Sequence, residues 1–148
     1  MTPLMNVLTS RFPLAVIVLT ITALGITGNF FSWSVPLIVV QLSAVALSIW
    51  ARRTFQRDTF RVVADPVAET VIREGPYAWI RHPMYAAMLL LIWSGVVTHA
   101  SAATVAIGIA LSAVIAARIA AEETLLRARF PDYRDYARST KTVVPFIL

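Results

Sequence analysis

The sequence contains no cysteine, and charged residues make up only 14% of it. The first absence excludes a disulfide framework, a thiolate zinc site and a cysteine nucleophile, so nothing in the chain reports a redox compartment. The second, set against 58% hydrophobic residues in a chain of 148, excludes an ordinary soluble domain of this size. Lipid is the solvent that such a composition fits. Charge is also missing from the middles of the long apolar runs, where Gln41 is the only strongly polar side chain. No ion path through a membrane is laid out, and no metal site is read.

What charge there is carries topological information. The formal net charge of +5 would suggest nucleic acid in a soluble protein, but here the positions of the basic residues give it another meaning and no nucleic-acid partner is expected. Four apolar stretches, 12–28, 33–51, 84–98 and 101–121, each approach the roughly 20 residues a helix needs to cross a hydrocarbon core of about 30 Å. The third is shortest and can be extended through Pro83, since proline is accepted in the first turn of a helix. The 13 basic residues fall at Arg11, between Arg52 and Arg81, and between Arg118 and Lys141, and the eight acidic residues share that side. The connections 29–32 and 99–100 carry no such charge. Basic residues favour the cytoplasmic side, so both termini and the long central loop are expected in the cytoplasm, and only an even number of spans keeps the segregation. Arg11 with its apolar run mimics a secretory signal, but another hydrophobic segment follows, so the N-terminus is expected to be retained.

The architecture these patterns predict is all-α. It is a polytopic transmembrane bundle of about four spans in a bacterial-type cytoplasmic membrane, one membrane domain over 1–148. Residues 1–51 read as a two-span scaffold and 52–148 as the catalytic half. Small residues along the fourth stretch, Ala106, Gly108, Ala110, Ala113, Ala116 and Ala117, suit close packing within the chain, and an oligomer is not required.

Topology alone accounts for Arg52, Arg53, Arg57, Arg127 and Arg129, but not for a long central loop with its own punctuation. That loop ends in Arg73-Glu74-Gly75-Pro76-Tyr77-Ala78-Trp79-Ile80-Arg81-His82-Pro83-Met84-Tyr85. Gly75-Pro76 reads as a turn and His82-Pro83 as an extended residue before a helix start. His82 and Arg81 are thereby delivered to a helix N-terminus at the membrane surface, where a carboxylate or phosphate would fit. Tyr77, Trp79 and Tyr85 read either as an interfacial aromatic belt or as a pocket lining. Farther on, Arg118 and Glu122 stand at i and i+4 on one helix face and can pair. That leaves the negative charge of adjacent Glu123 to meet a cation, such as a sulfonium ligand carrying an α-amino group. The C-terminal stretch 125–148 alternates apolar and basic residues like an interfacial amphipathic segment.

These strings, in this order, resemble the isoprenylcysteine carboxyl methyltransferase family and related phospholipid methyltransferases of membranes. The resemblance rests on G-P-Y-x-x-x-R-H-P-x-Y at 75–85, E-E-x-x-L at 122–126 as Glu122-Glu123-Thr124-Leu125-Leu126, and F-P-x-Y-x-x-Y at 130–136 with Pro145 closing. It implies S-adenosylmethionine, with S-adenosylhomocysteine as product, in a cytoplasm-facing pocket roofed by the central loop and the C-terminal segment. Val71 and Ile72 would supply backbone contacts near the adenine. Tyr77, Met84 and Tyr85 would line the pocket, His82 would bind the amino-acid end, and Glu122, with Glu123 beside it, would meet the amino group. Arg118 would contact a lipophilic or lipid acceptor arriving from the bilayer, so that Arg118 and His82 are the candidate catalytic residues. A carboxylate acceptor needs no base, whereas an amine or phenol does, and imidazole is the side chain that suits this near neutrality. Ala87 stands where the family often has glycine.

Membrane sterol and steroid reductases, which use NADPH, also carry an R-H-P-x-Y string. They resemble R-H-P-N-Y-x-G-E, and the corresponding positions here are Met84, Ala87 and Met88. The acidic pair favours the methyltransferase reading over the reductase, and a non-enzymatic scaffold would not require His82, Arg118 and Glu122 together.

Overall fold

The computed structural model describes Gly25 and residues 34–54 and 71–143, and within these it is all-helical. Among the described residues four α-helices have defined bounds, α1 (Val35–Thr54), α2 (Pro83–Thr98), α3 (Ala102–Arg129) and α4 (Tyr133–Ser139), with a 3-10 turn at Gly75–Ala78. Apart from Gly25, the expected first span 12–28 lies outside the described residues, as do the loop residues 55–70 and the last residues 144–148. Helices α1 and α3 are long and apolar enough to cross a membrane, and α2 is a shorter apolar helix. Their outer faces are apolar, with Val35 72%, Leu42 63% and Ile109 57% exposed, as lipid-facing surfaces should be.

Hydroxyl groups on these helices are satisfied locally. Ser43 donates to Val39 O, Thr98 to Ser94 O, Ser112 to Gly108 O and Thr124 to Ala120 O, all at 2.7–2.8 Å. A hydroxyl bonded to the carbonyl one turn back costs little in a medium without water.

Helix α3 starts cleanly because Ser101 and Thr104 form a reciprocal capping box, Thr104 N donating to Ser101 Oγ at 3.1 Å and Ser101 N to Thr104 Oγ1 at 2.9 Å. Its 28 residues make a rod of about 42 Å at 1.5 Å per residue, longer than the hydrocarbon core. The apolar stretch ends at Ala121, but the helix runs on to Arg129. The Glu, Leu, Arg and Ala residues that follow are strong helix formers, and Pro131 halts the chain just beyond.

Helix α2 packs on α1 along one side and on α3 along the other. The α2–α3 core is Ile92 and Val96 against Leu111, Ile115 and Ile119, with Tyr85, Met88, Leu89, Val114 and Val143 packed around it. Close approach depends on Gly108, where an added Cβ would lie 2.9 Å from Val96 Cγ2. Ala87, at 1% exposure, fills its position within α2 with a methyl group.

The loop turns back to α2 through Gly75, whose φ of +57° is left-handed. A side chain there would also press on Thr54 Oγ1 at 2.6 Å, so glycine is required twice over. The C-terminal segment returns to this loop. Ile80 and Lys141 form a parallel bridge, with Arg81 N donating to Lys141 O at 2.7 Å, His82 N to Thr142 O at 3.0 Å and Lys141 N to Trp79 O at 3.1 Å.

Candidate active site

Proline at the first position of α2 fixes the helix start, and His82 is thereby held as its cap residue. The imidazole is buried, at 7% exposure, and stands between two carboxylates. Nδ1 lies 3.8 Å from Glu122 Oε2 and Nε2 lies 3.6 Å from Glu123 Oε1. Both separations exceed hydrogen-bond reach, and Nε2 has no hydrogen-bond partner among the described residues. Across the ring, Tyr85 lies at a centroid distance of 5.8 Å.

One turn apart on α3, Arg118 and Glu122 pair as their spacing predicts, with Nε 3.3 Å from Oε1. Tyr85 from α2 completes the group. Arg118 Nε donates to the Tyr85 hydroxyl at 2.5 Å, and that hydroxyl donates to Glu122 Oε1 at 2.6 Å. Arg118 is 6% exposed, so its charge sits in the protein with a carboxylate and a phenol as its neighbours. Such burial costs less than placing a lone arginine in the bilayer because both partners are in place. Glu122 keeps a side chain 22% exposed, with Oε2 turned toward His82.

Glu123 is engaged differently from the expectation. Its carboxylate was to be left for a cation, but Oε1 accepts from Arg81 Nε and Oε2 from Arg127 Nη2, each at 2.8 Å. Arg127, assigned to topology alone, therefore has a definite partner. Arg81 is likewise not available to an anion at the membrane surface. It also donates to Ala137 O at 2.8 Å, Thr140 O at 2.5 Å and Thr142 Oγ1 at 2.8 Å, which ties the C-terminal segment to the start of α2. A guanidinium with all faces occupied by fixed acceptors is a structural clip.

Behind this group stand three tyrosines. Tyr136 donates from its hydroxyl to Tyr77 O at 2.7 Å, and Arg73 lies over its ring at 5.7 Å. Burial pushes the Tyr136 phenol up to about 12. It raises Tyr77 further, with Tyr136 and Glu122 adding to it, and it raises Tyr133, with Glu123 next in importance. Tyr133 is 1% exposed, and its hydroxyl has no partner among the described residues.

Of the residues expected at the site, His82, Tyr85, Arg118, Glu122 and Glu123 are thus brought into one connected group, with Tyr77 behind it. Val71, Ile72 and Met84 are half-buried and take no part in its hydrogen bonds. The sequence reading missed Arg81 as a clip and Tyr133 as a buried phenol. The closing F-P-x-Y-x-x-Y string was the available signal for the second.

All-helical structure throughout the described residues, with apolar helices of spanning length and a charged cluster at the end of one of them, defines a membrane protein with a site near the helix ends. The chain belongs to the isoprenylcysteine carboxyl methyltransferase (ICMT) family, whose model matches residues 37–128. This is a family of membrane methyltransferases, and the match takes in the whole His82–Tyr85–Arg118–Glu122–Glu123 group. Among curated proteins the chain is similar to the cobalt-zinc-cadmium resistance protein CzcN of Cupriavidus metallidurans, 34% identical over 77 residues. It is also similar to the nickel-cobalt-cadmium resistance protein NccN of Alcaligenes xylosoxydans xylosoxydans, 30% identical over 76 residues. Each match covers 51% of this chain and 36% of the relative, so the aligned part spans about a third of those proteins. No solved structure matches.

Proposed function

We propose that the chain is an S-adenosylmethionine-dependent methyltransferase that acts on a small lipophilic acceptor reaching the site from the bilayer, an isoprenylcysteine-like carboxylate or a phospholipid-like group. The observation that carries this reading is the state of the acidic pair. Glu123 is consumed by two arginines, whereas Glu122 has one oxygen held by Tyr85 and Arg118 and the other facing a buried imidazole with an unpartnered nitrogen.

The amino-acid end of the cofactor is a zwitterion. It needs a carboxylate for its ammonium and a donor for its carboxylate, and Glu122 with His82 offers both. When bound, the cofactor supplies an electrophilic methyl group on a sulfonium centre. The protein's own contribution is placement. Tyr85 holds Glu122 in position, and Tyr77, Met84, Val71 and Ile72 form the remaining wall in this reading. Arg118, one turn farther into the membrane than Glu122, neutralises or orients the polar head of the acceptor. Alignment of acceptor and methyl carbon supplies most of the acceleration in such a displacement. With a carboxylate acceptor no base is needed; with an amine or phenol, His82 takes the proton.

The same reading extends to topology. Residues 1–51 and 52–148 form scaffold and catalytic half of a four-span bundle, with the site and both termini in the cytoplasm.

Calorimetry on the detergent-solubilised chain with S-adenosylmethionine and S-adenosylhomocysteine tests the proposal, with NADPH as control. Binding that Glu122→Ala and His82→Ala abolish is the expected result. Failure of a folded chain to bind either adenosyl ligand refutes it, and binding of NADPH in their place favours the reductase.

A further inference from the structure

Two buried polar atoms have no hydrogen-bond partner among the described residues, His82 Nε2, which lies 3.6 Å from Glu123 Oε1, and the hydroxyl of Tyr133, which feels the charge of the same carboxylate. They come from different elements, the cap of α2 and the first turn of α4. Tyr136, on the same short helix, shows what a satisfied phenol looks like here, since its hydroxyl donates to Tyr77 O. Tyr133 is at least as deeply buried, at 1% exposure against 4% for Tyr136. Phenylalanine would fill the same space without leaving a polar atom dry, so the hydroxyl calls for a partner beyond the described residues.

The donors available indicate the kind of partner. Around Glu123 two guanidinium groups, Arg81 and Arg127, meet one carboxylate, while around Glu122 a single guanidinium, Arg118, meets the other. Glu123 is thus matched by its own cations, and what the two unpartnered groups offer is hydrogen-bond donors. A carboxylate suits such a corner; an ammonium does not.

Resting on the cofactor reading above, the geometry points to Tyr133 as a further cofactor-binding residue, whose hydroxyl joins His82 Nε2 in receiving the α-carboxylate of S-adenosylmethionine while Glu122 takes the amino group. Tyr133 lies beyond the stretch 37–128 that the family model matches, and α4 thereby becomes part of the site and not only its cover.

The test compares wild type and Tyr133→Phe, in detergent, for affinity toward S-adenosylhomocysteine and toward its decarboxylated analogue, together with the melting temperature of the ligand-free proteins. Loss of one hydrogen bond to a charged group predicts about tenfold weaker binding of S-adenosylhomocysteine. Affinity for the decarboxylated analogue should stay the same in both proteins, and melting should be unchanged or higher in the variant. Equal affinity of the two proteins for S-adenosylhomocysteine overturns the assignment. So does an equal loss toward both ligands with a lower melting temperature, which is the mark of a structural role. Wild type that binds neither ligand overturns the cofactor reading itself and this inference with it.

Discussion

Replacing Arg81 by alanine should loosen the C-terminal segment from the start of α2, and the size of the effect follows from its contacts. The side chain is 9% exposed and pairs with a Glu123 side chain 13% exposed, so solvent screens the pair weakly. Breaking a buried ion pair costs about 3–5 kcal/mol. Its other donors go to Ala137 O, Thr140 O and Thr142 Oγ1, and these acceptors can be rehydrated in part once the segment moves. Overlapping losses do not add, so we expect a total of about 4 kcal/mol. Arg81→Lys keeps the charge but lacks the planar fork that reaches several acceptors at once, and about half the loss should remain. For a chain of this size the alanine variant should melt about 8–16 °C below wild type, followed in detergent by tryptophan fluorescence. Arg127→Ala is the internal control. Arg127 also bonds Glu123 at 2.8 Å but its side chain is 51% exposed, and its removal should leave melting where it was. If Arg81→Ala and Arg127→Ala shift melting equally, the clip argument fails.

Three further outcomes follow from the same geometry. Gly108→Ala should destabilise the α2–α3 contact by about 1–3 kcal/mol through overpacking against Val96, and the double change with Val96→Ala should cost less than the two single changes together. The phenols of Tyr77, Tyr133 and Tyr136 are all raised, so the native state holds protons that the unfolded chain releases. The stability this represents is intact below pH 10.0 and falls as pH rises toward about 12 for Tyr136; Tyr136→Phe should flatten that decline in equilibrium unfolding. The chain has no cysteine, so single cysteines can report sidedness. Ala100→Cys should react with an impermeant thiol reagent added outside the cell and Lys141→Cys only after permeabilisation, and the reverse pattern would invert the proposed topology.

What could be read from the sequence was local. Hydropathy placed the starts of three helices within a few residues, and the ends of the first two, because a run of apolar residues has one stable form in lipid. The Arg118–Glu122 pair was legible from its i, i+4 spacing, and Gly75-Pro76 from its turn chemistry. The roles of Arg81 and Glu123 were not, because each is set by partners in distant parts of the chain, Arg81 by residues 56–61 positions away. Arg81 next to His82 and Pro83 looked like part of an anion site, when its charge was already committed to Glu123. The extension of α3 past Ala121 was missed for a related reason: a fall in hydropathy marks the edge of the membrane, while the helix itself ends only where Phe130 and Pro131 stop it.

The bridge between Ile80 and Lys141 sets an order of events during synthesis. His82 is fixed partly by Thr142 O, a residue made 60 positions later, so the candidate site cannot be complete when α2 leaves the ribosome. At about 5–20 residues per second, translation alone separates those two halves by about 3–12 s. During that interval α2 and α3 have time to enter the membrane and pair through Ile92, Val96 and Leu111, so the hydrophobic scaffold is built first and the polar site is locked onto it last.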